Sequence, residues 1–378
     1  MKKFRLVGIL LLITQVAGLA LADERFMPTG ITNHLHAAQL GMGGITTVAR
    51  GHNAHAVFYN PALLNHREFD LDISLISGGL DDDAVEVIDF IDAHQNEFDD
   101  FEELTFAEQN RFIMDSQQFD NKWVSVALSP FSGMAIENIG TAVYSVILAD
   151  VKVDHGVFIP AVGMRGYQDN VLGFGLGLPI KLTGKEINFG FSLRFIERRT
   201  FKPLRVSAAD ADELDQVIET SFDEFEKTEN GFGFDIGLIH TLPVNLLGWN
   251  TDLDIGIVAQ DLIGVLDSYM IPNINIGAIT PLPASLSPLN CDVAVEFTDL
   301  FNRQGVGLVQ RLNLGAEKNI LSNIISLRCG LHQGYPTFGL GLKLLFIEGD
   351  YAYFTRELGT RPGQFAESTH RLQLGLDF

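Results

Sequence analysis

The chain has 378 residues with 48 acidic and 26 basic side chains, giving a formal net charge of −22, yet its mean hydropathy is positive at +0.16. Its 28 Phe exclude an acidic disordered chain, and nothing in it indicates a basic face for nucleic-acid phosphates. Residues 81–120 contain fourteen Asp or Glu against one Arg, and residues 206–229 contain nine against one Lys. The rest of the chain is therefore nearly neutral and strongly apolar, as expected of a body that contacts something other than water.

Residues 1–22 have the pattern of a secretory signal peptide. Three basic residues within the first five positions precede an apolar run over residues 6–21, and Ala20-Leu21-Ala22 supplies a small-x-small cleavage pattern. A membrane anchor is the alternative, but the run is short for a spanning helix and contains Thr14 and Gln15. We therefore expect export and cleavage after residue 22.

Residues 23–67 precede the first predicted strand and have features of a packed plug. Glycine lets a backbone turn or approach another backbone closely, and Gly41, Gly43 and Gly44 fall within four positions. Pro61 lacks a backbone donor and biases Asn60 away from the helical region, which predicts a bend where the plug joins the wall. From the residues alone, a simple turn at Asn60-Pro61 explains the pattern equally well.

From Phe69 onward the dominant period is two, which predicts strands with one apolar face. The clearest runs are Phe69 to Leu75, Ile187 to Phe195, Phe232 to Leu238, Leu253 to Ala259, Cys291 to Phe297, Leu312 to Ala316, Leu327 to Leu331, Phe338 to Leu344 and Leu372 to Phe378. Polar clusters such as Gln168-Asp169-Asn170 and Glu348-Gly349-Asp350 are interpreted as turns between strands. The alternate positions are rich in Gly, Asp, Asn, Ser and Arg, which is typical of a barrel lumen.

These runs predict an all-β chain whose residues 68–378 form a transmembrane antiparallel β-barrel of about 14 strands. The raw number of candidates is about fifteen, and a closed barrel with both ends on one side needs an even number. The segment from Trp123 to Leu128, or its neighbour, must therefore merge with another strand or belong to a loop. A soluble β-sandwich is the alternative, but it does not explain the Phe content and the positive hydropathy.

The two acidic segments, 81–120 and 206–229, change to helical spacing. The apolar residues at i, i+3 and i+4 are Ala84, Val87, Ile88 and Ile91 in the first segment, and Leu214, Val217, Ile218, Phe222 and Phe225 in the second. Thr105 to Glu108 has the form of a capping box. If the last strand ends at the periplasmic side, both helical inserts lie outside the cell. Their carboxylates either gather divalent cations that bridge lipopolysaccharide or form a plain solvated face, since they lack calcium-loop spacing.

Candidate catalytic and metal-binding residues are few. His34, His36, His52 and His55 cluster near the plug, but no Cys or acidic set stands at ligand spacing beside them. Three serines lie outside any nucleophile-elbow context, and three glycines alternate along a strand without a following helix start, unlike a phosphate loop. These are Ser125, Ser129 and Ser132, and Gly173, Gly175 and Gly177. Cys291 and Cys329 are predicted to be unpaired, and the chain is predicted to be no enzyme and to hold no metal or cofactor.

Both ends of the chain resemble one superfamily of outer-membrane barrels. Residues 37–44 (AAQLGMGG) and 53–64 (NAHAVFYNPALL) are similar to the start of FadL-type proteins, in which Asn-Pro-Ala is a hallmark, here Asn60-Pro61-Ala62. PorV-like secretion proteins and FadL-like TraF conjugation proteins share this opening, and residues 330–359 resemble the end of the same group. The final strand closes on Phe378, like the terminal strand that barrel-insertion machinery reads.

The resemblance implies that residues 23–67 fold into the lumen as a hatch, gated at Gly41, Gly43, Gly44, Asn60, Pro61 and Ala62. It implies passive uptake of hydrophobic molecules such as long-chain fatty acids across the outer membrane of a diderm bacterium, by a monomer in contact with lipid and lipopolysaccharide. Ligand capture would fall to Val87, Ile88, Ile91, Leu214, Val217, Ile218 and Phe222, or these residues would only pack on each other. The alternative function is a scaffold or shuttle barrel in secretion or conjugation, with a secreted protein as partner.

Overall fold

A computed structural model describes residues 35–51, 53–65, 69–94, 104–119, 123–154, 161–182, 185–201, 204–207, 225–246, 248–263, 271–282, 291–357, 359–364 and 366–378. Within these ranges sixteen strand segments form one antiparallel sheet. Segments 123–128 and 131–136 both pair with the first and the next strand, so they are one strand interrupted at Ser129-Pro130. Segments 185–201 and 204–207 likewise pair with one neighbour. The first strand pairs with the last, Asp72 opposite Asp377, and the predicted barrel of 14 strands is confirmed.

The strands are β1 (Phe69–Asp81), β2 (Trp123–Leu128 with Phe131–Ile136), β3 (Ile139–Asp154), β4 (Ala161–Leu182), β5 (Lys185–Phe201 with Leu204–Ser207), β6 (Phe225–Leu246), β7 (Trp249–Gln260), β8 (Asn273–Leu282), β9 (Cys291–Phe297), β10 (Leu312–Ile320), β11 (Ile325–His332), β12 (Tyr335–Leu344), β13 (Ile347–Glu357) and β14 (Ala366–Asp377). The helices are α1 (Ala37–Gly41), α2 (Asp82–Ala93), α3 (Phe106–Ser116) and α4 (Leu308–Arg311). Three 3₁₀ segments are Asn53–Val57, Pro61–Asn65 and Gln117–Phe119.

The strands place apolar side chains outward and polar or small ones inward. On β12, Phe338, Leu340 and Leu342 are 48–55% exposed, while the alternate positions are occupied by glycine and face the interior. Because successive side chains of a strand point to opposite faces, a period of two produces this division. An exterior of exposed Leu, Phe and Ile suits hydrocarbon rather than water.

The two ends of the barrel differ in the length of their connections. At the end that holds Phe378, several turns are two residues long, as at 137–138 and 345–346. At the opposite end, β1 leads into α2 and α3, and β9 is joined to β10 by residues 298–311. Short periplasmic turns and long extracellular loops are typical of outer-membrane barrels. No helix in the described part of the chain is long and apolar enough to cross a membrane.

Two of the predicted turns are wrong. Gln168-Asp169-Asn170 lies within β4, and Glu348-Gly349-Asp350 lies within β13. Both clusters resemble turns in the sequence because they are polar. Inside the barrel, Asp169 and Asp350 instead pair with Arg198 and Arg328.

The second acidic segment is shorter than predicted. Residues 204–207 continue β5 and residues 225–229 begin β6, so Phe225, which was predicted as a helix residue, lies on a strand. The predicted helix residues Leu214, Val217, Ile218 and Phe222 lie outside the described residues.

Candidate functional site

The described part of the predicted hatch, residues 35–51 and 53–65, lies inside the barrel. Its largest side chains are almost wholly buried, with Leu40, Phe58, Tyr59 and Leu64 at 1% exposure or less. Helix α1 packs against β12, β13 and β14, and the two 3₁₀ segments pack against β3 to β6. The hatch therefore contacts the wall around much of the lumen.

The hatch approaches the wall most closely at a set of wall glycines. A Cβ atom on Gly190 of β5 would lie 2.2 Å from the carbonyl carbon of Pro61, and one on Gly237 of β6 would lie 1.8 Å from Asn60 Oδ1. Real Cβ atoms do not approach other atoms this closely. Comparable close approaches to the hatch occur at Gly133, Gly140, Gly173, Gly175, Gly256, Gly315, Gly330 and Gly339. The sequence indicated only that such glycines face the lumen. In the structure they form the surface against which the hatch packs.

The three hatch glycines themselves occupy positions that a side chain would not tolerate. Gly43 and Gly44 have φ angles of +74° and +77°, in the left-handed region that favours glycine. A Cβ atom on Gly43 would lie 2.1 Å from the carbonyl oxygen of Leu314, and one on Gly41 would lie 2.7 Å from the Cα atom of Gly339. Their role in gating stays a prediction, but their role in close packing follows from these distances.

The Asn60-Pro61-Ala62 triplet forms a corner in the middle of the lumen. Asn60 is fully buried; its Nδ2 donates to the carbonyl oxygen of Thr47 (2.8 Å), and its Oδ1 accepts from Ala62 N (3.1 Å). Pro61 begins a 3₁₀ segment, so the bend predicted at the plug-to-wall junction lies within the hatch instead. One asparagine side chain thereby ties two distant parts of the hatch together.

Wall side chains satisfy the polar backbone of the hatch. Glu296 on β9 is fully buried and accepts the backbone N–H groups of Thr46 (2.7 Å) and Thr47 (2.8 Å), with the Thr46 hydroxyl at 2.9 Å. Gln260 at the end of β7 donates to the carbonyl oxygens of Phe58 (3.1 Å) and Tyr59 (3.3 Å). Sequence reasoning missed both anchors, although an acid between Val295 and Phe297 in the apolar run of β9 was a usable signal.

Tyr59 links the two ends of the hatch. Its hydroxyl accepts the backbone N–H of His36 at 2.9 Å. Burial raises the pKa of this hydroxyl above its ordinary value, so it stays neutral. The contact holds the start of α1 beside the second 3₁₀ segment.

One side of the lumen wall is apolar where it faces the hatch. We call this the apolar sector; it comprises the inward side chains of β2 to β4, namely Phe131, Ala135, Ala142, Tyr144, Val146, Leu148, Tyr167 and Val171. Phe58 of the hatch lies edge-on to Tyr144, with ring centroids 4.8 Å apart. The hatch thus covers an apolar strip that runs along the inside of the barrel.

The half of the lumen nearer the long loops carries buried ion pairs. Arg194 on β5 contacts Asp235 (2.7 Å) and Asp261 (2.6 Å), and Arg165 contacts Asp150 (2.9 Å). All these side chains are less than a tenth exposed. Because loss of one partner would leave a buried charge unpaired, these pairs make the upper wall rigid.

Two cavities lie beside the hatch at the short-turn half of the barrel. One of about 200 Å³ is lined by Val48, Leu63 and Ile239 together with Arg50 and Asp254. The other measures about 130 Å³ and includes Met42 and Ile45 in its lining. Both are smaller than the roughly 300–1,000 Å³ of ordinary ligand pockets. Neither of these two cavities would hold a molecule the size of a fatty acid unless the hatch moved.

The external helices share a small apolar core with the nearby wall strands. Val87 and Phe90 of α2 are buried against Phe112 of α3 and Val124 of β2, so Val87 is a packing residue rather than an open capture site in this conformation. The side chains of Ile88 and Ile91 lie outside the described set. Exposed apolar groups occur instead at Phe106 (80%) and Met114, also on α3.

The remaining predicted residues fall as follows. The Ser125 hydroxyl hydrogen-bonds to Asp150 (2.6 Å), while the Ser129 hydroxyl meets that of Ser77 (3.0 Å). Cys291 and Cys329 are free thiols on β9 and β11, with β10 between them. At the end of the chain, Phe378 and Leu71 exchange two backbone hydrogen bonds, so the terminal residue helps to close the barrel. Its role as an insertion signal stays a prediction.

Fold and site together define a transmembrane-type barrel of 14 strands whose lumen holds a hatch. The family model described as "F plasmid transfer operon, TraF, protein" matches residues 147–264. Solved structures similar to the chain include the toluene transporter TodX of Pseudomonas putida, which is 11% identical with a TM-score of 0.46, covering 93% of this chain and 99% of TodX. This family model is of the TraF type, one of the groups that the ends of the sequence resemble.

Two further solved structures are similar at the level of the fold. CdiB of Acinetobacter baumannii is 9% identical with a TM-score of 0.36, covering 82% of this chain, which spans 60% of the length of CdiB. The outer membrane phospholipase A of Escherichia coli is 13% identical with a TM-score of 0.34, covering 56% of this chain and 78% of the phospholipase. No curated protein matches the chain.

Proposed function

We propose that this protein is an outer-membrane channel for hydrophobic molecules, closed by its hatch in the conformation of the structure. The apolar sector carries this proposal. Water-filled barrels have polar interiors, whereas here Phe131, Tyr144 and Val171 face inward and pack in one apolar cluster with the hatch. If the hatch moves, these side chains become the wall of a path that favours an apolar solute.

The attachment of the hatch suits a part that moves as a unit. Its internal contacts, such as Asn60 to Thr47 and Tyr59 to His36, hold it together. Its contacts with the wall include hydrogen bonds to Glu296 and Gln260, close packing on glycines, and the contacts of Phe58 with Tyr144 and of His55 with Asp72. Each hydrogen bond contributes only about 1 kcal/mol net, so release of part of the hatch is accessible without unfolding the barrel.

The external surface indicates which apolar molecules fit best. Helices α2 and α3 carry carboxylates on their exposed faces, while Phe106 and Met114 offer apolar contact. Carboxylates repel a fatty-acid anion and do not repel a neutral hydrocarbon. Neutral hydrophobic compounds are therefore the preferred cargo, and long-chain fatty acids are a second class that enters more slowly.

The test is uptake by liposomes that contain the purified full-length protein. Three probes are compared: a neutral aromatic hydrocarbon, a long-chain fatty acid and a sugar. We expect the hydrocarbon to enter fastest and the sugar no faster than into protein-free liposomes. Val171→Thr places a hydroxyl on the apolar sector and should slow hydrocarbon uptake about five-fold or more. Val143→Thr is the control, because Val143 is 47% exposed on the outer face of β3.

Equal rates for the hydrocarbon with and without protein would overturn the proposal. Equal slowing by Val171→Thr and Val143→Thr would also contradict it, since only the first residue lines the proposed path.

A second function, a scaffold barrel in secretion or conjugation, has one observation in its favour. The TraF family match falls on residues 147–264, which include most of β3 to β7. This function predicts that loss of the protein impairs transfer of protein or DNA across the envelope while hydrocarbon uptake by intact cells is unchanged. The channel predicts the reverse pattern.

A further inference from the structure

Two hatch histidines and one wall carboxylate meet at the short-turn end of the barrel. His36, His55 and Asp72 of β1 each offer a ligand atom, and the three atoms lie within 4.8 Å of one another. All three residues are buried, at 3%, 1% and 4% exposure. The sequence predicted no metal site here, because the acid lies 17 residues beyond His55 and only the folded hatch brings them together.

A cavity large enough for one ion adjoins this triad. Its volume is about 10 Å³, close to the size of one water molecule. His36 and Asp72 line it together with Glu348, Asp350 and Asp377. The cavity reaches the end of the barrel where β14 terminates, which gives an ion a route from the periplasmic side.

The wall side chains of this cavity have the charge arrangement of a cation site. Asp72 stands directly opposite Asp377 on neighbouring strands, where like charges repel; Asp377 also contacts Lys343, and Asp72 Oδ2 lies 3.0 Å from His55 Nε2. Asp350 is 1% exposed; its Oδ1 contacts Arg328, but no donor among the described residues reaches its Oδ2. A cation in the cavity would offset the facing carboxylates and give Asp350 Oδ2 a partner.

We propose that this cavity binds one divalent transition-metal ion, with His36, His55 and Asp72 as the principal ligands, and that the ion links the hatch to β1. Imidazole and carboxylate together suit Zn²⁺ or Mn²⁺ better than Ca²⁺ or Mg²⁺, which prefer oxygen alone. Metal bonds of about 2.0–2.2 Å keep the ligand atoms of one ion within roughly 4.4 Å of each other. Small side-chain movements would therefore close the triad around the ion.

Binding has a structural signature at the start of α1. His36 Nδ1 accepts the backbone N–H of Ala38 at 3.1 Å, so the ring proton is on Nε2. Coordination through Nε2 moves that proton to Nδ1, which then faces the Ala38 N–H as a second donor. The hydrogen bond is lost, and the amide of Ala38 should exchange with solvent faster in the metal-bound protein.

The site does not depend on which cargo the barrel carries, so it is tested by metal content rather than uptake. Full-length protein is stripped with chelator, reloaded with Zn²⁺ or Mn²⁺, freed of excess metal and analysed for bound metal per chain. We expect one ion per chain, faster exchange of the Ala38 amide, and an affinity at least about ten-fold lower in His36→Gln and Asp72→Asn. Heat-modifiable gel mobility shows that each variant still forms the barrel.

His332→Gln is the matched control. His332 is also buried beside the hatch, against Gly44, but it lies outside the triad. Absence of stoichiometric Zn²⁺ and Mn²⁺ overturns the proposal, as does equal loss of affinity in His332→Gln. Binding of Ca²⁺ in preference to both transition metals also overturns it, because that selectivity would mean that the histidines are not ligands.

Discussion

The hatch and the external insert formed by α2 and α3 are both additions to the same barrel, yet they are stabilised in opposite ways. The hatch contributes main chain, and the wall supplies what it packs against, such as Gly190, Gly237 and Glu296. The insert builds a small core of its own around Val87 and Phe112. The wall therefore determines where the hatch lies, whereas the insert is stabilised by a core of its own.

The difference has an energetic consequence. Damage to the insert core should remain local, because the described members of that core lie on α2, α3, the residues just before α3 and the nearby ends of β1 and β2. Damage at a wall glycine should act at a distance in sequence, because Gly190 and Gly237 lie more than a hundred residues beyond the corner at Asn60-Pro61 that they contact. Substitutions in the insert core and at the wall glycines test this difference.

The largest effect is expected from Phe112→Ala in the insert. Phe112 is 1% exposed and its ring lies 5.9 Å from that of Phe90, so truncation leaves a cavity between α2 and α3. Loss of a buried aromatic side chain costs about 3–5 kcal/mol. Hydrogen exchange over residues 82–94 and 106–116 should accelerate strongly, while exchange in the hatch remains as in the wild type.

Phe106→Ala is the control for this substitution, since Phe106 is on the same helix and 80% exposed. It should leave exchange in both regions almost unchanged. If Phe112→Ala loosened the hatch as much as the insert, the two regions would be coupled and the comparison would fail.

A smaller effect, of about 1–3 kcal/mol, is expected from Gly190→Ala, which forces extra volume into a filled space. The new methyl group would lie 2.2 Å from the backbone of Pro61, so the hatch corner must shift. Faster exchange at the amide of Ala62 and more frequent channel openings in planar bilayers should follow. The external helices should be unaffected.

Gly349→Ala provides the comparison, because a Cβ atom there would meet only a Leu374 methyl group at 3.6 Å, an ordinary contact. Identical channel behaviour of the two alanine variants would show that wall glycines do not position the hatch.

The sequence predicts the features that depend on neighbouring residues and fails for those that depend on contacts between distant residues. The alternation from Phe338 to Leu344 is a local property, and it predicted strand β12 correctly. The capping box at Thr105 to Glu108 is equally local and is confirmed. By contrast, the polar run Gln168-Asp169-Asn170 looks like a turn until Arg198 on the neighbouring strand is known to pair with Asp169.

The candidate site is only partly contained in local patterns. Asn60-Pro61-Ala62 marked the hatch, but an inward glycine such as Gly190 is expected equally of a water-filled lumen and of a wall that receives a plug. Only the path of the hatch distinguishes these roles. Likewise, Asp72 became a partner of His55 through the folding of the hatch against β1, which no spacing along the chain encodes.

The smallest effect, about 1 kcal/mol, is expected from Thr105→Ala at the start of α3. The Thr105 hydroxyl lies 3.4 Å from Glu108 N and donates to the Glu108 carboxylate at 2.7 Å, which lowers the pKa of that carboxyl. Without it the first turn of α3 should open more often, so the amides of Glu108 and Gln109 should exchange faster. Thr105→Ser keeps the hydroxyl and should restore slow exchange. Because the contacts between Phe112 and α2 are retained, the remainder of the insert should stay protected; if it does not, the helix cap rather than the Phe112 core is what stabilises the insert.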